Sequence, residues 1–323
     1  MHYKLLGATG VKVSALCFGV MSFGGDADEP TSAAMFQRCR EAGINFFDCA
    51  NVYAGGRSEE ILGKLIAPCR DEVVITSKVY GETGPDINAR GASRRHIRAA
   101  LEASLKRLDT DYIDVYFLHH FDEETPIEET LRALDDLVRA GKILYPAASN
   151  FAAWQVAKAL GISARAGLAR FECIQPMYNL TKRQAEVELL PMAQSEQLGV
   201  ISYSPLGGGL LSGKYGAGRR PEAGRLVENQ MYQVRYGGAS YYDVAERFTN
   251  FARERDFDPA SLAVAWVAGH PAITAPIIGA RNLGQLESSL KALDIAMTPE
   301  LRTEISALSP EPPLATDRSE ERT

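Results

Sequence analysis

The chain of 323 residues is long enough for two average domains, although an α/β barrel also uses this length for one. Its 46% hydrophobic and 24% charged residues are typical of a globular protein with a large core. The net charge is -6 and the basic residues do not cluster, which argues against nucleic acid as a partner.

The cysteines and the N-terminus bear on the cellular environment. Five cysteines are widely spaced and form no C-x-x-C pair, which argues against a disulfide framework and a zinc site. The first residues, "MHYKLLGATG", contain no apolar signal-peptide core, and no apolar run reaches the roughly 18 residues of a spanning helix. We therefore expect a cytoplasmic protein that binds no metal and spans no membrane.

Strand-like and helix-like segments alternate along most of the chain. The stretch "YKLLGATGVKVSAL" predicts an N-terminal hairpin. Eight strand-like stretches follow: "ALCFGV", "INFFDCA", "EVVITSKV", "YIDVYFLHH", "KILYPAAS", "FECIQ", "GVISYSPL" and "APIIGA". Helical periodicity covers residues 31–42, 58–66, 93–108, 126–140, 151–160, 185–198, 259–268 and 283–293. This alternation predicts an α/β fold, a (β/α)8 TIM barrel of parallel strands.

Two segments depart from the alternation. Residues 206–238 are rich in Gly, Arg and Pro and show no long period, and a loop of this length is usually functional or disordered. The C-terminal stretch "SPEPPLATDRSEERT" is Pro-rich and charged. We expect one barrel domain over residues 1–310 and a mobile tail over residues 311–323.

Four residues with complementary chemistry end or follow adjacent predicted strands. Asp48, Lys78 and His119 end the second, third and fourth strands, and Tyr53 follows the second. Barrel enzymes carry their chemistry at this end of the strands. Tyrosine, with a pKa of about 10, donates a proton poorly at neutral pH unless a cation favours its phenolate. Lys78 could supply that cation, and Asp48 could hold Lys78 in place.

The same pattern gives Tyr53 the role of general acid and lets His119 hydrogen-bond the reacting oxygen. Taken singly, each of the four has a structural explanation, such as a loop cap, a surface charge or packing. Their coincidence on adjacent strands favours catalysis. The predicted wall of a substrate pocket comprises Met21, Tyr80, His120 and Phe121, for which plain packing is the alternative.

Motifs along the chain resemble those of the aldo-keto reductase superfamily. They are "FFDCANVYAGGRSEEILGKLI", "VVITSKV", "YIDVYFLHH", "SNF", "IQPMYNL", "YSPLGGGLLSGKY" and "IIGARNLGQLESSL". The resemblance extends from Lys4 to about Leu293 and is greatest to the branch of voltage-gated potassium channel β subunits and bacterial reductases. It implies a barrel whose lower end an N-terminal hairpin closes. It also implies the catalytic tetrad Asp48, Tyr53, Lys78 and His119.

The resemblance further implies NADPH bound in extended form. Ser149, Asn150 and Gln175 would hold the nicotinamide carboxamide, Tyr203 would stack on the ring, and Arg281 would grip the 2′-phosphate. Further cofactor-binding residues are Val20, Met21, Asp48, Ser204, Pro205, Leu206, Lys214, Arg225, Gly279, Gln285, Ser288 and Ser289. The chain departs from the family at Ser288 and Ser289, where Glu and Asn are usual, and this weakens the expected contacts to adenine.

Two other functions compete with this interpretation. The stretch "GGLLSGKY" fits G-x-x-x-x-G-K but ends in Tyr215, where a nucleotide-binding P-loop needs Ser or Thr for Mg²⁺. A slow or non-catalytic NADPH-binding module that signals redox state through a protein partner is the stronger alternative. The sequence favours an NADPH-dependent reductase that converts an aldehyde or ketone to an alcohol, reversibly. It specifies neither the carbonyl substrate nor an oligomeric state.

Overall fold

The computed structural model describes residues 1–316 as a barrel with an N-terminal hairpin. The hairpin pairs β1 (Tyr3–Leu5) antiparallel with β2 (Lys12–Ser14). The barrel strands are β3 (Cys17–Gly19), β4 (Phe46–Asp48), β5 (Val74–Val79), β6 (Ile113–Leu118), β7 (Ile143–Ser149), β8 (Cys173–Gln175), β9 (Gly199–Ser202) and β10 (Ala275–Ile278). They pair in parallel and close in the order β10-β3-β4-β5-β6-β7-β8-β9. The predicted barrel and hairpin are both confirmed.

Successive side chains of each strand point alternately into and out of the barrel, so the buried residues form two cores. Inward residues such as Phe46 form a cluster inside the barrel, whereas outward residues such as Phe47 belong to the larger core beneath the helices. Leu6 of the hairpin joins the inner cluster. At Gly7, where φ is +55°, a Cβ would lie 2.6 Å from the backbone nitrogen of Gly199, the first residue of β9. The hairpin therefore closes the end of the barrel at which the strands begin.

Helices surround the barrel where the periodicity predicts them. They are α1 (Glu29–Glu41), α2 (Arg57–Ile66), α3 (Arg94–Leu108), α4 (Ile127–Arg139), α5 (Ala153–Ala166), α6 (Leu189–Ser195), α10 (Pro259–Ala268) and α11 (Leu283–Leu290). The helix predicted over residues 185–198 is shorter, because a 3-10 turn at Gln184–Glu186 precedes α6. Gly43 and Gly141 follow the ends of α1 and α4 in the left-handed conformation, which glycine adopts without strain.

Four further helices lie outside the predicted set. Two short ones, α7 (Arg225–Glu228) and α8 (Gln230–Tyr236), interrupt the Gly-rich segment. The longer α9 (Ala239–Glu254) follows it, and α12 (Pro299–Ser306) comes near the end of the described chain. Of the predicted tail, residues 317–323 lie outside the described residues. Among residues 1–316, no helix combines the length and apolar character needed to cross a membrane.

Candidate active site

Asp48 and Lys78 meet at the upper end of the barrel, where the strands finish, because both side chains point inward. Asp48 shares its strand face with Phe46, and Lys78 shares its face with Val74; both apolar residues belong to the inner cluster. Asp48 is 3% exposed and Lys78 is fully buried. A buried ammonium and a buried carboxylate each lose hydration, so each needs a partner of opposite charge.

The carboxylate of Asp48 is fully engaged. Lys78 Nζ lies 2.8 Å from Oδ1 and 2.7 Å from Oδ2, and it also donates to the Cys49 carbonyl at 2.7 Å. Thr76 Oγ1 and Gln175 Nε2 donate to Asp48 Oδ1 at 2.6 and 2.9 Å. Burial is the largest single influence and acts to lower the pKa of Lys78, but the charge and hydrogen bond of Asp48, together with Tyr53, outweigh it. The pKa therefore lies above its ordinary value and Lys78 is a cation.

Tyr53 begins a short 3-10 helix, Tyr53–Gly56, that directs its hydroxyl toward Lys78. The distance from Lys78 Nζ to the Tyr53 hydroxyl is 3.3 Å. Burial raises the pKa of Tyr53 to about 12, although the charge of Lys78 acts in the opposite direction. The cation was expected to favour the phenolate, and here its effect is smaller than that of burial. The phenol is therefore protonated at neutral pH, as a proton donor must be.

His119 follows β6 and its ring lies beside that of Tyr53. The two ring centroids are 6.1 Å apart with a nearly perpendicular arrangement. Burial, followed by the charge of Lys78, lowers the pKa of His119 to about 3, so its imidazole is neutral. A neutral imidazole retains one N–H that can donate to an oxygen placed beside the Tyr53 hydroxyl. All four residues of the predicted tetrad thus meet at one place.

A linked set of polar side chains lies on the neighbouring strand ends. Tyr203 donates from its hydroxyl to Asn150 Oδ1 at 2.7 Å, and Asn150 Nδ2 donates to the His119 carbonyl at 2.9 Å. Ser149 Oγ donates to the Gln175 backbone carbonyl at 3.0 Å. Asn150 and Ser204 both adopt a left-handed backbone with φ of 58°. Gln175 Oε1 has no hydrogen-bond partner within residues 1–316, so the set can accept as well as donate.

The residues expected around the phosphates and adenosine form a second group. Lys214 is exposed, and neither it nor Arg225 forms an ion pair with another described residue. By contrast, Arg281 Nε lies 2.9 Å from Asp26 Oδ2, an acidic partner that the sequence did not predict. The side-chain oxygen Oε1 of Gln285 already accepts from the Arg281 backbone N–H at 3.0 Å. Two cations that have no carboxylate partner among the described residues, together with a Gly-rich segment, suit a pyrophosphate.

The remaining predicted cofactor residues follow β3, β9 and β10 or lie in α11. Val20 is buried, and its backbone N–H donates to the Asp48 carbonyl at 2.9 Å. Ser289 is also buried, and no described residue hydrogen-bonds its hydroxyl. Pro205 is buried, Gly279 is exposed, and Leu206 and Ser288 are half-buried. Their contacts to a cofactor stay predictions.

Aromatic rings line the approach to Tyr53. The rings of His120 and Tyr80 are 5.4 Å apart, and the ring of His120 stacks on that of His119 at 5.3 Å. Phe121 contacts Trp154, an indole that is 61% exposed and was not predicted to belong to the pocket. Met21 is 39% exposed. Of the predicted wall residues, Tyr80 and His120 therefore lie next to the tetrad, whereas the Phe121 ring packs against Phe151 and Trp154.

Arg235 of α8 also affects the electrostatics of this region, and no sequence motif predicted its presence here. Burial and the positive charge of Arg235 both lower the pKa of His120. The helix is tied to the barrel because its last residue, Tyr236, accepts a hydrogen bond of 3.1 Å from Asn179 Nδ2, which also donates to the Ser204 carbonyl. The Gly-rich segment thus passes close to the strand ends.

Comparison with known proteins identifies the family. The Aldo/keto reductase family model matches residues 15–310. The chain is 39% identical to the uncharacterized oxidoreductase YrpG of Bacillus subtilis, over 97% of each protein. It is 38% identical to a probable voltage-gated potassium channel subunit beta of Oryza sativa, over 98% of this chain and 99% of the relative. Norsolorinic acid reductase stcV of Emericella nidulans is 35% identical, over 96% of this chain and 81% of that protein.

These matches confirm the resemblance found in the sequence motifs. They extend over nearly the whole chain, and the closed barrel of parallel strands agrees with them. The chain therefore belongs to the aldo/keto reductase family and is an oxidoreductase that acts on carbonyl or alcohol groups.

Proposed function

We propose that the protein reduces an aldehyde or ketone to the alcohol with NADPH, and that Tyr53 donates the proton. The observation that carries this proposal is the contact between the Tyr53 hydroxyl and Lys78 Nζ, at 3.3 Å, beside a neutral His119. A protonated phenol and a neutral imidazole at one place can both donate to a single carbonyl oxygen.

Each residue of the tetrad has a separate task. Tyr53 donates its proton to the oxygen as negative charge develops there. Lys78 lowers the energy of the resulting phenolate through its positive charge, which is held at the phenol by Asp48. His119 positions the carbonyl oxygen by a hydrogen bond. Because its imidazole is neutral, this requires no buried charge. In the reverse direction the Tyr53 phenolate accepts the proton of the alcohol.

The polar set at the strand ends suits the cofactor. When bound, NADPH supplies the hydride that reduces the carbonyl carbon. Ser149, Asn150 and Gln175 combine hydroxyl and amide groups, which both donate and accept, as a primary carboxamide requires. Lys214 and Arg225 supply positive charge for the phosphates.

A slower NADPH-binding protein that reports redox state to a partner is the second candidate. Its support is the similarity to a probable potassium channel subunit beta over nearly the full length of both proteins. The two functions differ in cofactor exchange, because an enzyme must release NADP⁺ in every cycle whereas a sensor retains it.

A substrate screen tests the proposal. Purified protein is mixed with NADPH and a panel of aldehydes and ketones that includes norsolorinic acid, and the loss of NADPH absorbance is followed with wild type and Tyr53→Phe. We expect turnover with at least one carbonyl compound and a loss of about 10²–10⁴-fold in Tyr53→Phe at unchanged NADPH affinity. NADPH binding without turnover on any compound would favour the sensor.

A further inference from the structure

The guanidinium of Arg281 lies between two carboxylates from separate parts of the chain. Arg281 Nε is 2.9 Å from Asp26 Oδ2, and Arg281 Nη1 is 3.9 Å from Glu228 Oε2. The side chains of Arg281, Asp26 and Glu228 are 31%, 48% and 54% exposed, so the cluster is open to a ligand from solvent. A cation expected to grip a phosphate therefore has acidic neighbours instead.

Asp26 is held in this position by the turn that carries it. The turn begins at Ser22, whose hydroxyl donates to the Ala280 carbonyl at 2.7 Å, next to Arg281. The backbone N–H groups of Gly25 and Ala27 both donate to the Ser22 carbonyl, at 3.1 and 2.8 Å. Asp26 lies between these two bonded residues, so the turn fixes its backbone beside Arg281. Glu228, in contrast, comes from α7 of the Gly-rich segment.

We propose that Asp26, assisted by Glu228, weakens the preference for NADPH over NADH by competing with the 2′-phosphate for Arg281. The inference rests on the proposed use of a nicotinamide dinucleotide and adds two residues that determine its selectivity. A 2′-phosphate is a dianion that must share Arg281 with one or two carboxylates and is repelled by both. The 2′-hydroxyl of NADH is neutral and can donate to a carboxylate.

The two carboxylates therefore lower the affinity for NADPH and leave that for NADH unchanged or slightly raised. Because the cluster is partly exposed, each pair has a modest effect that salt screens. We expect removal of either charge to change NADPH affinity by about twofold to fivefold at low ionic strength. We expect a larger change in NADPH affinity for Asp26 than for Glu228, because the carboxylate of Asp26 is closer to the guanidinium.

Calorimetric titration of the whole protein tests this without turnover. The probes are adenosine 2′,5′-bisphosphate, which carries the 2′-phosphate, and ADP, which does not, followed by NADPH and NADH. The variants are Asp26→Asn and Glu228→Gln, with Asp71→Asn as control, because Asp71 is exposed just before β5 at the opposite end of the barrel. We expect Asp26→Asn to tighten binding of the bisphosphate but not of ADP, with a smaller gain in about 500 mM salt.

Each other result has a definite meaning. Equal affinity ratios in wild type and Asp26→Asn, with both probes bound, would overturn the competition and leave the proposed reductase function intact. Parallel loss of both affinities in Asp26→Asn would give Asp26 a structural role and also overturn the competition. If wild type bound none of the four compounds, neither the two probes nor NADPH nor NADH, this inference and the proposed function would both be overturned.

Discussion

Gln175 donates a hydrogen bond of 2.9 Å from Nε2 to Asp48 Oδ1. The two residues end β8 and β4, which are not neighbours in the barrel, so the bond crosses its upper end. An ionised carboxylate can only accept, and this fixes the orientation of the Gln175 amide with Oε1 left to accept from a ligand. A group bound at Gln175 would therefore be linked through one side chain to the carboxylate that holds Lys78.

Gln175→Glu should make activity depend on pH. The new carboxyl would face Asp48, and two carboxylates at this separation cannot both ionise without strong repulsion. We expect reduction to fall as pH rises from about 6 to 9, because ionisation of the new carboxyl disrupts the Asp48–Lys78 pair. The pH profile of kcat/KM measures this. Gln194→Glu, on the exposed face of α6, is the control, and a flat profile in Gln175→Glu would contradict the coupling.

Asp48→Asn and Lys78→Met should affect turnover to different extents. Lys78 contacts the Tyr53 hydroxyl directly, so its loss should approach that of Tyr53→Phe, about 10²–10⁴-fold. Asp48→Asn keeps the shape of the side chain but removes the charge, so Lys78 stays nearby and the loss is smaller. Single-turnover rates with bound NADPH measure the chemical step for both. A larger loss in Asp48→Asn than in Lys78→Met would contradict this order.

Oxidation of an alcohol should accelerate with pH, whereas reduction should not. Burial raises the pKa of Tyr53 to about 12, so the phenolate fraction increases about tenfold per pH unit below that value. Oxidation requires the phenolate and should follow this increase from about pH 7 to 10, while reduction requires the phenol. Because burial lowers the pKa of His119 to about 3, no break should occur near pH 6.5. Initial rates in both directions test these slopes, and a histidine-like break would contradict the neutral imidazole.

Arg281→Ala should reduce the preference for NADPH over NADH. A charge-assisted contact to the 2′-phosphate is worth roughly 1.5–3 kcal/mol, or about tenfold to a hundredfold in affinity. Because Asp26 already engages Arg281, we expect a change near the lower limit of this range. Dissociation constants of both cofactors, from quenching of protein fluorescence, give the ratio. An unchanged ratio would exclude Arg281 as the 2′-phosphate contact.

Glu59→Ala should destabilise the fold far more than the same change at the next residue. Glu59 is fully buried in α2, and its carboxylate accepts from Arg107 Nε at 2.7 Å and from the Ser77 hydroxyl. Removal of the carboxylate leaves the buried Ser77 hydroxyl and the partly exposed Arg107 guanidinium without this partner and costs about 1–3 kcal/mol. Glu60→Ala, which removes a surface pair with Arg57, should cost less than about 1 kcal/mol. Urea unfolding measures both, and equal losses would contradict the importance of burial.

The sequence predicted the parts of the site that depend on local order along the chain. The strand ends could be located from the sequence, because the length and direction of each strand determine which residues lie where the strands finish. These residues include Asp48, Lys78 and His119. The contacts of Asp48 with Thr76 and Gln175 depend on register between strands and across the barrel, which composition does not encode. The Asp26–Arg281 pair has the same cause, since it joins segments that follow the first and last barrel strands.

The missed helix α9 is different, because its signal is present in the sequence. Tyr242, Ala245, Phe248 and Ala252 are buried at helical spacing. They follow directly on the Gly-rich segment, whose lack of periodicity obscured the start of the pattern. The short helices α7 and α8 carry no comparable stripe, since four and seven residues are too few for one.

The left-handed backbones of Asn150 and Ser204 have a consequence for the evolution of stability. Glycine would relieve the strain at either position, and a strained left-handed residue costs of order 1–3 kcal/mol, with Asn at the low end. Selection for thermal resistance alone would therefore replace both residues, yet glycine at 150 would remove the amide that joins Tyr203 to His119. In a heat-stable descendant of this protein, glycine should therefore replace Ser204 sooner than Asn150. The order of replacement would show which of the two side chains matters more for function.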